Sequence, residues 1–226
     1  MYRIGVVIPA AGKGLRLGGS IPKQFLPLKG IPVIERTIAL FESLPAVSEI
    51  VVVVSPEYLK KVRALVARAG FRKVSNVVQG GKTRQESVWH GLQSFGSVPE
   101  IVMVHDAVRP CVTKGVVNEV IRQSRKHGAA VVGVRVTDTI KVEKRKGFYA
   151  GTLERSRLWA VQTPQGFRYD LLVSAHKRAR KAGFVGTDEA SLVEQMKIPV
   201  KIVEGDYHNV KITTKEDLLL AESFVR

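Results

Sequence analysis

Residues 6–19 read Val6-Val7-Ile8-Pro9-Ala10-Ala11-Gly12-Lys13-Gly14-Leu15-Arg16-Leu17-Gly18-Gly19, and Pro22-Lys23-Gln24 follows closely. The stretch begins as a β-branched run typical of a buried strand and then changes abruptly to small residues and glycines. Such a loop lets backbone N–H groups approach a ligand closely, because glycine has no Cβ and tolerates positive φ. The cations Lys13, Arg16 and Lys23 favour a polyanionic ligand. The alternative is an ordinary glycine turn with solvated cations.

Two familiar phosphate loops do not fit this stretch. A G-x-G-x-x-G fingerprint that starts at Gly12 requires its third glycine at position 17, which is Leu17. The G-x-x-x-x-G-K-[ST] loop does not occur in the chain. The glycine loop therefore belongs to neither class.

The chain has 226 residues and a formal net charge of +16, from 36 Lys and Arg against 20 Asp and Glu. We expect one α/β domain that spans residues 1–226. The charge favours an anionic partner, but the basic residues fall into separate segments and only 7% of the residues are aromatic, which argues against a nucleic-acid groove. A basic nucleic-acid-binding protein remains the alternative from a different functional class.

Cysteine usage and the apolar runs bear on the compartment. Cys111 is the only cysteine, so an intrachain disulfide is impossible and a reducing compartment fits. The first residues lack the pattern of a secretory leader, and no apolar run reaches the ~18 residues that a membrane span requires. We expect a cytoplasmic protein with no membrane partner.

Buried strands alternate with amphipathic helices, which predicts a doubly wound, mainly parallel sheet with helices on both faces. The predicted strands after the first are 49–54, 73–79, 101–104, 129–134, 158–163 and 200–204, and residues 163–166 are predicted as a turn. The predicted helices are 32–44, 56–69, 84–95, 113–127, 169–182, 188–196 and a last one capped by Thr213 and Glu216.

One segment departs from this alternation. Residues 139–142 and 148–153 are short extended runs around a turn at 143–147, which predicts a β-hairpin arm at about 137–157. Because a two-stranded arm is hardly stable alone in water, we expect it to pack on a second subunit.

Two further motifs carry candidate site residues. In the glycine turn that begins at Gly80, Arg84 and Ser87 either face an anion at a helix start or are ordinary surface residues. His105 and Asp106 follow a buried strand, at the end where parallel sheets bind ligands, so a base and an acid are expected there. Asp106 either holds a divalent cation or pairs with Arg109 as a structural turn.

Eight motifs follow one another along the chain: P-A-A-G-K-G-L-R, P-K-Q-F, G-G-K-T-R-Q-E-S-V, H-D-A-V-R-P, D-T-I-K, T-P-Q-G-F, T-D-E-A-S and N-V-K-I-T-T-K-E-D-L. This ordered set resembles the 2-C-methyl-D-erythritol 4-phosphate cytidylyltransferase family over nearly the whole chain. The resemblance implies a Rossmann-like nucleotidyltransferase sheet with an extended β-arm, and transfer of a cytidylyl group from CTP to a sugar-alcohol phosphate with Mg²⁺, usually in a homodimer.

The resemblance also implies roles for individual residues. Arg16 and Lys23 would stabilise the transition state, and Arg155 and Lys211 would position the attacking phosphate. Thr139 and Arg155, on the arm, would come from the partner subunit. The residues implied to hold CTP are Ala10, Ala11, Gly12, Gly14, Arg16, Lys23, Gly81 and Ser87. Those implied for the sugar-phosphate side are Asp106, Ala107, Arg109, Thr139, Arg155, Thr163, Thr187 and Lys211.

A ribitol 5-phosphate cytidylyltransferase is the nearest alternative. That relative has A-G-G where this chain has Ala10-Ala11-Gly12, and Thr in place of Ser87, so methylerythritol phosphate is the favoured acceptor. Two positions depart from the family pattern. Lys82 stands where an acidic or small residue is common, and His208 stands where an acidic residue is common, which puts an additional metal contact in doubt.

Overall fold

The structure is a computed structural model, and it describes residues 3–12 and 21–225. The strands in these ranges are β1 (Ile4–Ala10), β2 (Pro27–Leu28), β3 (Ile31–Pro32), β4 (Val47–Val54), β5 (Val74–Gln79), β6 (Ile101–Val104), β7 (Ala129–Arg135), β8 (Lys141–Arg145), β9 (Phe148–Thr152), β10 (Trp159–Arg168) and β11 (Lys201–Glu204). The α-helices are α1 (Val33–Glu42), α2 (Leu59–Ala69), α3 (Arg84–Leu92), α4 (Lys114–His127), α5 (Tyr169–Lys181), α6 (Glu189–Glu194) and α7 (Lys215–Phe224).

Seven strands form one sheet in the order β11-β7-β10-β6-β1-β4-β5. Neighbouring strands are parallel except at β10, which runs antiparallel to both β6 and β7. The carboxyl ends of β1, β4, β5 and β6 therefore lie along one edge of the sheet. The mainly parallel α/β sheet predicted from the sequence is confirmed.

Helices cover both faces of the sheet because the central strands are apolar on both sides. Along β1, Ile4, Val6 and Ile8 belong to one core cluster, whereas Val7 belongs to the other. The first cluster packs against α1, α2 and α4, and the second against α3, α5 and α6. Side chains that alternate between two buried faces explain the near-continuous apolar runs in the sequence.

Helix ends mostly follow the local signals in the sequence. Gly70 ends α2 in the left-handed conformation, with φ +68°, as expected of a C-terminal glycine. The side chain of Thr83 accepts from the backbone N–H of Glu86 and caps α3. The last helix was predicted one residue early: Thr214 and Asp217 form its capping box, and Asp217 also accepts from Thr213. A single carboxylate oxygen, Asp217 Oδ2, accepts from the N–H groups of Thr213 and Thr214 and from the hydroxyl of Thr213.

A two-stranded sheet of β8 and β9 forms the predicted arm, and its strands pair in antiparallel register. The turn is shorter than predicted, because β8 continues to Arg145 and the chain reverses at Lys146 and Gly147. Phe148 and Tyr149 are 59% and 66% exposed. The arm therefore presents large apolar side chains that little else in the chain covers.

The prediction of a turn at residues 163–166 is wrong. These residues lie inside β10, where the register with β7 shifts between Val161 and Gln165. Pro164 lacks an N–H, and the irregular pairing accommodates it in a central strand. Gly166 has a packing role, because a Cβ there would lie 2.8 Å from Val120 Cγ1 of α4.

Across residues 3–12 and 21–225, each helix is too short or too polar to cross a membrane.

Candidate active site

Two adjoining cavities open at the edge where the parallel strands end. The first cavity, of about 200 Å³, lies between the end of β1, the turn before α3 and the end of β6. It brings together most of the residues predicted to hold CTP and some of those predicted for the sugar-phosphate side. The predicted residues that line it are Ala10, Ala11, Gly12, Lys23, Gly81, Ser87, Asp106, Ala107 and Lys211. Gly14 and Arg16 lie outside the described residues.

The second cavity, of about 300 Å³, lies on the other side of Asp106. It is lined by the predicted sugar-phosphate residues Asp106, Arg109, Thr163, Thr187 and Lys211. Arg84, Asp106 and Lys211 line both cavities and form the wall between them.

Thr139 and Arg155 line neither cavity in this chain. Both are exposed, and the guanidinium of Arg155 donates to the carbonyl oxygen of Thr137 at 2.6 Å. Their contribution from a partner subunit stays a prediction.

A buried glutamine shapes the end of β1. Gln24 is 2% exposed, and its amide donates to the carbonyl oxygens of Ala10 at 2.8 Å and Gly12 at 3.3 Å. Among the described residues, no atom would lie within 4 Å of a Cβ at Gly12, so none of these residues blocks the approach of a ligand to this position. Gln24 also fixes the short helical turn Lys23–Phe25, which places Lys23 at the first cavity.

The turn before α3 is held by Ser87, which is 3% exposed rather than a surface residue. Its hydroxyl donates to the carbonyl oxygen of Thr83 at 2.9 Å and accepts from the N–H of Gly81 at 3.1 Å. Gly80 allows this turn to approach β1, because a Cβ there would lie 2.6 Å from the Cβ of Ala11. Ala11 and Gly12, at the end of β1, therefore line the first cavity together with Gly81 of this turn.

Asp106 is the centre of a cluster of charged side chains. Its Oδ1 lies 3.2 Å from both Nε and Nη2 of Arg84, and its Oδ2 lies 2.7 Å from Nζ of Lys211. The backbone N–H of Asp106 donates to Thr163 Oγ1 at 3.0 Å. Burial would raise the pKa of Asp106, but the charges of Arg84 and Lys211 outweigh it and hold that pKa well below its usual range.

The structure supports the second alternative for this motif, a structural turn between Asp106 and Arg109. The N–H of Arg109 donates to the carbonyl oxygen of Asp106 at 3.1 Å, which makes a structural turn. The side chains approach less closely, with Arg109 Nε 3.9 Å from Asp106 Oδ2. Arg109 Nε and Asn209 Oδ1 are buried and have no hydrogen-bond partner among the described residues. An orphaned donor and acceptor beside the second cavity fit a polar ligand there.

His105 does not act as a base at this edge. It is fully buried, with Nε2 3.0 Å from the carbonyl oxygen of Arg109 and Nδ1 3.2 Å from Thr163 Oγ1. Burial lowers the pKa of His105 to about 4, so the imidazole is neutral near pH 7. The expectation of a base here is wrong, and His105 instead holds the Arg109 turn and Thr163 in place.

Sequence reasoning missed Gln24, Glu189 and Asn209, and it left Arg84 undecided. Glu189 is 1% exposed and accepts from Arg84 Nη1 at 2.7 and 2.9 Å. Each of these residues lies within a motif already quoted, yet burial and partner are properties of the folded chain alone. The sequence pointed to these residues only through their positions within the quoted motifs.

The described residues do not form a metal centre by themselves. They contain no group of three or more His, Cys, Asp or Glu side chains that could hold an ion. Both carboxylate oxygens of Asp106 already accept from cations. Mg²⁺ sites of nucleotide enzymes use one or two carboxylates together with substrate phosphates. A cationic partner on each oxygen makes Asp106 a poor direct ligand, so we expect the phosphates of the substrate to hold the ion.

The sequence and the fold both match one family. The family model for 2-C-methyl-D-erythritol 4-phosphate cytidylyltransferase matches residues 4–226. The chain is 47% identical over 220 residues to the protein of that name from Geobacillus kaustophilus, covering 97% of this chain and 95% of the relative. It is 44% identical over 227 residues to that from Pelotomaculum thermopropionicum, covering 100% and 95%.

Solved structures give the same result. The crystal structure of 2-C-methyl-D-erythritol 4-phosphate cytidylyltransferase from Thermus thermophilus is similar with a TM-score of 0.78 and 35% identity, covering 99% of this chain and 98% of that one. That of 4-diphosphocytidyl-2C-methyl-D-erythritol synthase from Anaerococcus prevotii has a TM-score of 0.86 and 27% identity, with the same coverage. With sequence, fold and paired cavities in agreement, the chain belongs to the 2-C-methyl-D-erythritol 4-phosphate cytidylyltransferase family of nucleotidyltransferases.

Proposed function

We propose that this chain transfers the cytidylyl group of CTP to the phosphate of 2-C-methyl-D-erythritol 4-phosphate and releases pyrophosphate. The observation that carries the proposal is the pair of cavities that share Arg84, Asp106 and Lys211 as a common wall. One cavity would take the nucleotide and the other the sugar phosphate, so the two reacting phosphates would meet at this wall. The names of the relatives support this acceptor over ribitol 5-phosphate.

The reaction needs positioning and charge rather than an activated nucleophile. An oxygen of the acceptor's phosphate monoester, already anionic near neutral pH, attacks the α-phosphorus of CTP. A new P–O bond forms, the bond between the α-phosphorus and the bridging oxygen breaks, and its electron pair leaves with pyrophosphate. Two anions must approach each other, so catalysis depends on cations that are placed in advance.

Lys23, Arg16 and Lys211 would supply these cations. Lys23 lines the first cavity, and Lys211 lines both. A cation ~4 Å from a unit negative charge contributes about 4 kcal/mol at an effective dielectric constant of ~20. Lys211 uses one donor on Asp106 at 2.7 Å, and its ammonium has further donors for a phosphate oxygen.

Enzymes of this family generally depend on a divalent cation. Mg²⁺ would enter as the complex with CTP, because Asp106 already pairs with Arg84 and Lys211 and the described residues contain no group of three or more metal-ligating side chains. When bound, the ion neutralises phosphate charge. Asp106 would instead orient Lys211 and accept from a hydroxyl of the sugar alcohol.

We also propose that residues 1–226 form one nucleotidyltransferase domain and that the β8–β9 arm pairs two chains. The exposed Phe148 and Tyr149 support an apolar contact between subunits. Thr139 and Arg155, which line neither cavity of their own chain, would then complete the second cavity of the partner.

Release of pyrophosphate tests the proposal. CTP is incubated with methylerythritol phosphate and with ribitol 5-phosphate in parallel, and ATP, GTP and UTP replace CTP as controls. We expect pyrophosphate release from the combination of CTP and methylerythritol phosphate, and none with ribitol 5-phosphate or with ATP, GTP or UTP. Equal or faster pyrophosphate release with ribitol 5-phosphate would instead identify ribitol 5-phosphate as the acceptor substrate.

A further inference from the structure

The guanidinium of Arg84 lies between two carboxylates that belong to different parts of the fold. Its Nη1 lies 2.7 Å from Glu189 Oε2, and its Nε and Nη2 lie 3.2 Å from Asp106 Oδ1. Asp106 in turn lies 2.7 Å from Lys211. The four side chains therefore form one chain of alternating charges, from Glu189 through Arg84 and Asp106 to Lys211.

Glu189 lies outside the two cavities proposed to bind the substrates. It is 1% exposed and lines neither cavity, so it cannot touch a ligand there. Its two carboxylate oxygens both accept from Arg84. A carboxylate buried in this way requires a cationic partner, so Glu189 and Arg84 hold each other in a fixed position.

Further hydrogen bonds join the same elements. Gln85, beside Arg84, donates to the carbonyl oxygen of Phe184 at 3.2 Å and accepts from the N–H of Gly186 at 3.0 Å. Gln165 of β10 donates to Asp188 at 2.7 Å and accepts from the N–H of Ala190 at 3.2 Å. The start of α3, the start of α6 and β10 are thus held together around the second cavity.

We propose that Arg84 and Glu189 are positioning residues for the acceptor phosphate. Glu189 holds Arg84, Arg84 holds Oδ1 of Asp106, and Oδ2 is thereby left to orient Lys211 toward the second cavity. Without Glu189, Arg84 would have Asp106 as its one remaining anionic partner among the described residues and would compete with Lys211 for that carboxylate. This inference rests on the proposed function, since it assigns the second cavity to the sugar phosphate.

Steady-state kinetics of Glu189→Gln and Arg84→Lys test the inference. Gln keeps the size of Glu189 but removes its charge, and Lys keeps the charge of Arg84 but cannot span both carboxylates. Each variant should raise KM for methylerythritol phosphate about tenfold to a hundredfold, because small misplacements of a binding group have effects of that size. KM for CTP should change less than about threefold in Glu189→Gln, because Glu189 lines neither cavity.

Glu119→Gln is the matched control. It removes a carboxylate that pairs with Arg122 at 2.6 Å on the exposed face of α4, away from both cavities. A double-mutant cycle distinguishes a positioning role of this pair from a purely structural role. If Glu189 acts through Asp106, Glu189→Gln should have little further effect on kcat/KM for the acceptor once Asp106→Asn is present.

The outcomes separate the two proposals. A wild-type protein that releases no pyrophosphate from CTP with methylerythritol phosphate overturns the proposed function, and the acceptor-positioning role with it. An active wild type beside a Glu189→Gln variant that matches Glu119→Gln overturns the positioning role alone. If Glu189→Gln does not fold, Arg84→Met combined with Glu189→Leu removes both charges together, which buried pairs commonly tolerate. An unchanged acceptor KM in that folded variant would equally reject the inference.

Discussion

The side-chain amide of Gln24 donates to the carbonyl oxygen of Ala10 at 2.8 Å, across the segment that separates β1 from the Lys23–Phe25 turn. A second bond from the same nitrogen reaches Gly12 at 3.3 Å. One buried amide therefore fixes both the backbone that faces the first cavity and the turn that carries Lys23.

Gln24→Ala should impair nucleotide binding more than acceptor binding. The variant leaves the carbonyl oxygen of Ala10 without its donor, which costs about 1–3 kcal/mol when the group stays buried. We expect a higher KM for CTP, a lower kcat and a lower Tm. Steady-state kinetics and thermal unfolding measure these changes, and an unchanged KM for CTP would show that Gln24 serves stability alone.

Lys23→Ala and Arg16→Ala should each depress kcat by orders of magnitude while the fold survives. Each ~1.4 kcal/mol lost from transition-state stabilisation slows the reaction tenfold, and one cation contributes about 4 kcal/mol. Single-turnover assays give the rate, and circular dichroism checks the fold. Near-normal turnover in either variant would remove that residue from the catalytic set.

Asp106→Asn distinguishes a positioning carboxylate from a metal ligand. Because both oxygens of Asp106 accept from Arg84 and Lys211, we expect a raised KM for the acceptor and an unchanged Mg²⁺ dependence. Activity is titrated with Mg²⁺ at a saturating concentration of CTP. A large increase in the half-saturating Mg²⁺ concentration would instead place the ion on this carboxylate.

Arg155→Ala should raise KM for the sugar phosphate far more than KM for CTP. If the arm acts on the partner's cavity, dimers that combine an Arg155→Ala chain with a Lys23→Ala chain regain one intact site. Mixing the two inactive proteins should therefore restore part of the activity. Failure to recover activity, with mixed dimers verified by mass, would assign Arg155 to its own subunit.

The free energy of unfolding should decrease as the pH is lowered from about 6.5 to about 4. Burial lowers the pKa of His105 and of His176 to about 4, so the unfolded chain binds protons in this window that the folded chain does not. Each histidine should contribute about 2 kcal/mol of destabilisation between pH 7 and pH 5. Asp106 acts in a separate window, because the stability from its lowered pKa is lost only as the pH falls below its usual value.

Urea unfolding of the wild type and of His176→Phe at pH 7 and at pH 5 measures this loss of stability. Phe keeps the aromatic packing that His176 makes with Trp89, whose ring centroid lies 5.8 Å away, and removes the titrating group. The variant should lose about 2 kcal/mol less between pH 7 and pH 5. An identical pH dependence would show that His176 is not the responsible group.

The apolar strands and the glycine loops were predictable because their signals are local. Burial on both faces of β1 appears in the sequence as a continuous apolar run, and Gly70 ends α2 as its position suggests. The continuation of β10 through Pro164 and Gly166 was not predictable, because both resemble turn residues. Irregular pairing with β7 accommodates Pro164, and the absence of a Cβ at Gly166 lets Val120 of α4 approach. The pairing of Arg84 with Glu189 depends equally on tertiary structure, because the two residues are distant in sequence.

The charged cluster joins residues that leave the ribosome at very different times. Arg84 and Asp106 emerge with the middle of the chain, whereas Glu189 and Lys211 follow only after β10 and the arm have been translated. A nascent chain that has formed its central strands therefore still carries Asp106 without two of the side chains that complete its surroundings. The charged cluster can therefore be completed only near the end of synthesis, once Glu189 and Lys211 have been translated.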